Sequence, residues 1–216
     1  LLGQAGGLLL EQGEHLPGQL HGGLQHHAVV GQADVGLLAV QLAELLVGLP
    51  QLQGAVQQVG GVLLNVLADE AVLLPGVGAF PDAMEAIKPL ESDIRAAVRD
   101  GVPLMGICLG MQMLFEYSDE CGGAKGLGIL PGVVRRFPDG LIVPHMGWSP
   151  LYDMRGDLFK GIERMDAYFV HSFFCPTGDF TAARARHGDE GGIISVEFSA
   201  AVQQGRVMGT QFHPEK

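Results

Sequence analysis

The chain has 216 residues and a formal net charge of -11 at pH 7, an acidic balance that disfavours nucleic acid or an anionic membrane as a partner. It contains no apolar run of the roughly 18 residues that a membrane-spanning helix needs. The three cysteines, Cys108, Cys121 and Cys175, lack metal-ligand spacing, and their odd number predicts free thiols in a reducing cytoplasm and no metal site.

Residues 1–68 differ in composition from the rest of the chain. The first lysine is Lys88 and the first aromatic residue is Phe80. Every residue type before Asn65 can be encoded by a codon that begins with C or G, so we hypothesise a wrong-frame translation of a GC-rich gene. The competing interpretation is a genuine low-complexity extension that is disordered or helical, with amphipathic spacing between Gln32 and Val47.

Elements of an α/β domain begin after this segment. Residues 70–75 read as a short buried strand, and the glycine-rich loop 75–80 follows at its carboxyl end. Residues 81–99 read as helical, with a break at Pro89, and 102–107 as a second buried strand. Alternating strands and helices predict a parallel sheet, in which ligands bind beyond the carboxyl ends of the strands.

The second strand ends at Cys108, which the pattern places on a sharp strand-to-helix turn. Gly106 and Gly110 are small enough to let the strand and the helix approach closely, as a nucleophile elbow requires. Residues 111–116 continue at helical spacing, and the first backbone N–H groups of that helix can stabilise an oxyanion. The competing interpretation is a buried structural cysteine.

A base for this thiol follows the last predicted strand. Three strands are predicted over 182–186, 193–198 and 206–212, and the third is followed by His213 and Glu215. An imidazole at that position can take the thiol proton, and a carboxylate two residues later can orient the imidazole.

These residues resemble a known family. Gly106–Gln112 and Gln211–Lys216 resemble the two signatures of the class I (triad) glutamine amidotransferases. Leu74–Phe80, Pro144–Trp148 and Tyr168–Phe173 are similar to motifs of the glutaminase subunits of imidazole glycerol phosphate synthases, and the resemblance covers 69–216. It implies a flavodoxin-like α/β fold: a central, mostly parallel sheet flanked by helices, with additional antiparallel strands.

The resemblance implies that Cys108 is the nucleophile, His213 the general base and then acid, and Glu215 its orienter. Glutamine would be hydrolysed to glutamate and ammonia without a cofactor. In the family the ammonia passes to a (β/α)8 synthase/cyclase partner in a cytoplasmic heterodimer. That partner forms imidazole glycerol phosphate and aminoimidazole carboxamide ribonucleotide in histidine biosynthesis.

The resemblance also implies a substrate pocket. The expected oxyanion donors are the backbone N–H groups of Leu109 and of Val77 or Gly78. The expected contacts to glutamine are Gln112 and Glu116, four and eight residues after Cys108 on one helical face, with the pocket closed by His171, Ser172 and Phe173. Ordinary strand packing is the competing interpretation for Ser172 and Phe173.

Trp148, in a Gly-Trp turn, is the expected anchor of the partner interface, against the alternative that it fills the core.

Two departures from the family are expected. Residues 69–216 lack the family's first βα unit and its terminal helix, because no matching strand-loop motif precedes residue 69 and the sequence ends at Lys216. Three alternatives therefore stay open. They are another class I amidotransferase, such as the glutaminase of pyridoxal phosphate synthase; a cysteine hydrolase of the same architecture; and a non-functional fragment or binding subunit.

Overall fold

The computed structural model describes residues 55–59, 62–67 and 71–214, the first two ranges as backbone only. The helical stretch expected between residues 32 and 47 lies outside the described residues, and so does Glu215. In chain order the strands are β1 Ala55–Val59, β2 Val62–Leu67, β3 Ala71–Gly76, β4 Leu104–Cys108, β5 Phe115–Ser118, β6 Ala124–Lys125, β7 Leu130–Arg136, β8 His145–Pro150, β9 Asp166–His171, β10 Phe173–Phe174, β11 Thr181–Gly188, β12 Ser195–Gln204 and β13 Val207–Thr210. The α-helices are α1 Phe80–Ile87, α2 Glu91–Arg99 and α3 Leu109–Met113.

Seven strands form the main sheet, in the order β1-β2-β3-β4-β13-β12-β11. Its centre is parallel: β4 pairs in parallel with β3 on one side and with β13 on the other. One face of these strands is fully buried at Leu74 and Leu104, whereas Leu73 and Met105 on the other face are half-buried. The predicted α/β fold is confirmed, with the elbow on the middle strand of the parallel core.

Parallel pairing is confined to these three strands, and the strands on either side of them are the additional antiparallel strands that the resemblance implies. β1–β2, β2–β3, β13–β12 and β12–β11 are all antiparallel pairs. The reason is the length of the connections. Two residues separate β12 from β13, and such a link can join only antiparallel neighbours, whereas a parallel pair needs a long crossover.

The crossover between β3 and β4 is helical. α1 ends at Ile87, a 3-10 turn covers Lys88–Leu90, and α2 begins at Glu91. Pro89 lies in that turn, where its missing N–H and its ring are tolerated, so the predicted break is confirmed. Phe80 and Ile87 bury one face of α1 in the main core, and Ile94 does the same for α2.

Two smaller sheets complete the described fold. One has the order β10-β7-β5-β6, and the other is the two-stranded ribbon β8–β9. The buried residues form two clusters. The first joins the helices to the parallel strands and includes Leu114 and Phe115. The second lies between the ribbon and β11–β12, and is built around Phe137, Phe169 and Phe198.

Candidate active site

Cys108 ends β4 and is the N-cap residue of α3. Its φ of 54° and ψ of -108° place it in a region that side chains with a Cβ rarely occupy. A non-glycine residue held there is strained, and such strain collects at functional positions. The predicted strand, sharp turn and helix are confirmed, with Cys108 at the turn.

Glycines make this turn possible. A Cβ on Gly106 would lie 2.7 Å from the backbone of Gly110 and Met111. A Cβ on Gly110 would lie 1.6 Å from the carbonyl oxygen of Leu74 on β3. Helix α3 therefore lies directly against β3 and β4, as the sequence predicts.

The register of the parallel strands brings three chain segments to one edge. Gly76 is paired with Cys108, and Thr210 with Ile107, so β3, β4 and β13 end at the same level. Val77 and Gly78 follow β3 there, and Gly78 has a φ of 106°, which glycine adopts at little cost. His213, three residues after β13, is half-buried, and its backbone N–H donates to the carbonyl of Tyr168 at 3.0 Å.

Behind the sulfur lies a pair of buried glutamines. Gln211 Nε2 donates to Cys108 Sγ at 3.6 Å, and Gln112 Nε2 donates to Gln211 Oε1 at 3.0 Å. Gln112 Nε2 also donates to the carbonyl of Phe173 at 3.1 Å. Both amide hydrogens of Gln112 are thus engaged by protein acceptors.

His171 joins the same group of contacts. Its Nδ1 lies 2.7 Å from the carbonyl oxygen of Phe173, and its Nε2 lies 3.2 Å from Nδ1 of His145. The ring of Phe173 packs against the first core cluster, so strand packing explains its side chain but not its carbonyl. The structure therefore places His171 and Phe173 beside Gln112, and Ser172 between them on the chain.

The helical face that the sequence predicts for Glu116 is wrong. Helix α3 ends at Met113, and Phe115 already pairs with Leu130 of β7. The side chain of Glu116 is exposed, and its carboxylate accepts a hydrogen bond from the backbone N–H of Gly132 at 2.8 Å. Burial of Phe115 in the strand overrides the local helical spacing, because long-range pairing outweighs intrinsic propensity.

Sequence reasoning missed three polar residues at this edge. Gln211 lies in the motif 211–216 and His145 in the motif 144–148. The sequence does not show that they are buried beside Cys108 and His171. Glu120 accepts a hydrogen bond from the backbone N–H of Phe80 at 2.9 Å, which ties it to the end of the loop after β3. A carboxylate twelve residues after Cys108 gives no local signal for that contact.

Burial sets the protonation of the histidine pair. It lowers the pKa of His171 to about 3, and it lowers the pKa of His145 to about 4 with a contribution from nearby His187. Both rings are therefore neutral near pH 7. Burial also raises the pKa of the Cys175 thiol well above its usual value, so that thiol is neutral.

The ribbon β8–β9 has two different faces. His145 and Ser149 on β8, and Phe169 and His171 on β9, face the second core cluster. The opposite face of β8 exposes Met146 and Trp148, each with 62% of its surface accessible. Core filling is thus excluded for Trp148, whose ring contacts Tyr168 at a centroid distance of 5.8 Å.

Comparison with known proteins agrees with this geometry. The family model described as glutamine amidotransferase class-I matches residues 55–216. The chain belongs to the class I glutamine amidotransferases. The match begins at residue 55, so it includes both strands of the β1–β2 hairpin.

Within these amidotransferases the chain is similar to curated proteins named imidazole glycerol phosphate synthase subunit HisH. It is 45% identical to the protein of Moorella thermoacetica over 158 residues, which are 70% of this chain and 72% of that one. It is 41% identical to the protein of Streptococcus gordonii over 187 residues, 84% and 87% of the two chains. A solved glutamine amidotransferase structure, 22% identical, has a TM-score of 0.50 over 67% of this chain and 70% of that one, which supports the fold.

The described part of this amidotransferase chain shows neither a metal cluster nor a membrane-spanning helix. Within the described residues, no group of three or more His, Cys, Asp or Glu side chains is placed to hold a metal ion. Of the helices in that part of the chain, none has the length and apolar character needed to cross a membrane.

Proposed function

We propose that this chain is the glutaminase subunit of an imidazole glycerol phosphate synthase. It hydrolyses glutamine to glutamate and ammonia, and the ammonia is used in histidine biosynthesis in the cytoplasm. The observation that carries the proposal is the strained Cys108 at the end of β4, level with Gly76 on one side and Thr210 on the other. The similarity to curated HisH subunits supports the same assignment.

The first half of the reaction forms a thioester. His213 takes the Cys108 proton, and the thiolate attacks the side-chain amide carbon of glutamine. The backbone N–H groups of Leu109 and of Val77 or Gly78 stabilise the tetrahedral oxyanion. His213 then gives its proton to the leaving nitrogen, and ammonia departs. Glu215 orients His213 throughout.

The second half consumes water. His213 takes a proton from a water molecule, which attacks the thioester carbon and releases glutamate with return of the proton to the Cys108 sulfur. During both halves, Gln112 Oε1 faces the substrate, while His171, Ser172 and Phe173 close the pocket. The Nε2 contact of Gln112 to the Phe173 carbonyl, at 3.1 Å, supports that arrangement.

The ammonia passes to a (β/α)8 synthase/cyclase partner, which forms imidazole glycerol phosphate and aminoimidazole carboxamide ribonucleotide. The exposed apolar face of β8, with Met146 and Trp148, is the proposed docking surface. Large exposed apolar residues that lie close together on a rigid strand are typical of interfaces.

The test is glutamine hydrolysis by the full chain, with and without the barrel partner, and with Cys108→Ala and Cys121→Ala variants. We expect glutamate release that the partner stimulates, and loss of it in Cys108→Ala only. Unchanged activity in Cys108→Ala would end the nucleophile assignment. Glutamate release that the partner does not stimulate would leave a glutaminase but remove it from this synthase.

A further inference from the structure

A continuous chain of polar contacts runs from the ribbon to the nucleophile. We propose that His145 and His171 are positioning residues that hold the Phe173 carbonyl in place, and that this carbonyl sets the orientation of Gln112 and Gln211 beside Cys108. The proposal rests on the proposed glutaminase function, because it assigns these residues to the same site. We call the contacts from Ser149 through His145, His171, the Phe173 carbonyl, Gln112 and Gln211 to Cys108 the polar chain.

The Phe173 carbonyl determines the direction of this chain. A carbonyl oxygen only accepts hydrogen bonds, and it has two lone pairs. His171 Nδ1 lies 2.7 Å from that oxygen, and Gln112 Nε2 lies 3.1 Å from it. Both groups must therefore point a hydrogen at it. This fixes the hydrogen-bond directions on both sides of Phe173: in the histidine arm, from His171 through His145 to Ser149, and in the glutamine arm, from Gln112 through Gln211 to Cys108.

The histidine arm has a single set of tautomers. Because His171 carries its proton on Nδ1, its neutral ring can only accept at Nε2. His145 Nδ1, 3.2 Å away, must then donate, so His145 Nε2 accepts from the hydroxyl of Ser149 at 2.9 Å. Ser149 donates to His145, and His145 donates to His171.

The glutamine arm is determined in the same way. Because Gln112 turns its Nε2 toward the Phe173 carbonyl, its second amide hydrogen reaches Gln211 Oε1 at 3.0 Å. Gln211 must then present its Nε2 to the Cys108 sulfur, at 3.6 Å. Reversing Gln112 would place two acceptors against each other in this buried site, and reversing Gln211 would place two N–H donors against each other. One backbone carbonyl thus decides that an N–H, and not an oxygen, faces the nucleophile.

The surroundings hold the histidine arm in this state. His145 and His171 each have about 5% of their surface exposed. The ring of His145 lies stacked between Phe169, at a centroid distance of 5.0 Å, and His187, at 4.4 Å. Burial keeps both rings neutral, with pKa values of about 4 for His145 and about 3 for His171, as the tautomer argument requires.

The first measurement is the tautomeric state of both histidines by ¹⁵N NMR of the full chain. We expect a proton on Nδ1 and a bare Nε2 for His145 and His171 alike. A proton on Nε2 of either ring would overturn the proposal, whatever the activity of the protein. This measurement needs no variant and so does not depend on any substitution being tolerated.

The second measurement compares His145→Phe with His145→Asn. Phenylalanine keeps the stacked ring but removes the donor to His171, whereas the asparagine amide restores a donor near the Nδ1 position. His187→Phe is the matched control, because it replaces a stacked histidine outside the polar chain. Each variant is made in a Cys121→Ser background, so that the exposed Cys121 thiol does not react with iodoacetamide.

Loss of one buried hydrogen bond in this chain should lower the rate of Cys108 alkylation and the kcat for glutamine by about tenfold in His145→Phe. We expect the KM for glutamine to change less than kcat, His145→Asn to recover most of the loss, and His187→Phe to match the parent. Parental alkylation and kcat in His145→Phe would overturn the proposal. So would equal losses in His145→Phe and His145→Asn when their melting temperatures agree.

The outcomes separate this proposal from the proposed function. A parent protein that releases no glutamate, but whose Cys108 alkylation falls in His145→Phe, would refute the glutaminase assignment and support the polar chain. If the parent hydrolyses glutamine and Cys108 is alkylated equally fast in the parent and in His145→Phe, the glutaminase assignment stands and the polar chain is refuted.

Discussion

Gly110 of helix α3 lies against the carbonyl of Leu74 so closely that a Cβ on Gly110 would be 1.6 Å from that oxygen. The contact joins the helix that follows Cys108 to the neighbouring strand β3. The elbow and the loop after β3 are therefore held at one distance by backbone atoms rather than by adjustable side chains.

Gly110→Ala should separate α3 from β3, because neither backbone can yield to the added methyl group. We expect a loss of about 3 kcal/mol or more in the free energy of unfolding, measured by urea titration. Gly191→Ala is the control, since its added Cβ would contact only side chains, the nearest 3.2 Å away. Equal stability of the two variants would contradict the close packing of the elbow.

Gln211→Leu should leave a buried Gln112 hydrogen without its acceptor and remove the N–H that faces Cys108. We expect a loss of about 1–3 kcal/mol in stability and a fall in kcat of at least about tenfold. Gln203→Leu serves as the control, because Gln203 bonds to exposed Asp157, remote in sequence from the elbow. Wild-type kcat in Gln211→Leu, measured by glutamate release, would remove Gln211 from the site.

Glu116 and Glu120 should differ when each is replaced by glutamine. Glu116 is exposed and bonded to Gly132, so we expect Glu116→Gln to change kcat/KM by less than about twofold. Glu120 accepts from the Phe80 N–H at the end of the proposed oxyanion loop, and Glu120→Gln weakens that charge-assisted bond. We expect kcat/KM to fall about tenfold in Glu120→Gln. A larger fall in kcat/KM for Glu116→Gln than for Glu120→Gln, measured by steady-state kinetics, would instead place Glu116 at the substrate.

Trp148→Ala should separate partner binding from chemistry. With 62% of its surface exposed, Trp148 contributes little to folding, so stability and partner-free glutaminase activity should stay near the parent values. Affinity for the barrel partner should fall at least about tenfold, measured by titration calorimetry. Ile193→Ala, at an apolar side chain that is 87% exposed on another segment, should leave that affinity intact.

Acid should destabilise the chain through its histidine pair. The folded pKa values of about 4 for His145 and about 3 for His171 lie below the ordinary 6.5, chiefly because burial disfavours the charged rings. The unfolded chain then binds more protons below about pH 6.5, so the free energy of unfolding falls between pH 7 and pH 5. Charge repulsion from His187 adds to the effect at both rings, and that from His213 adds to it at His171. The urea midpoint should drop over that interval, and less in His145→Phe than in the parent.

The amino-acid sequence by itself determined the elbow, the two signature motifs and the succession of strands and helices along the chain around Cys108. These features depend on neighbours in the chain: apolar runs, glycines at fixed offsets and a His-Pro-Glu motif after the last strand. The family followed from the same motifs. Local signals of this kind survive without any knowledge of long-range contacts.

Only the tertiary structure decided the rest. Phe115 leaves the helical pattern because β7 offers it a buried partner, and this carries Glu116 away from the helix that begins after Cys108. The polar contacts behind Cys108 join residues 61 to 103 positions apart, as Gln112 to Phe173 and Gln211 to Cys108 show. Burial makes each of those contacts obligatory, and burial is a property of the packed chain that no local pattern contains.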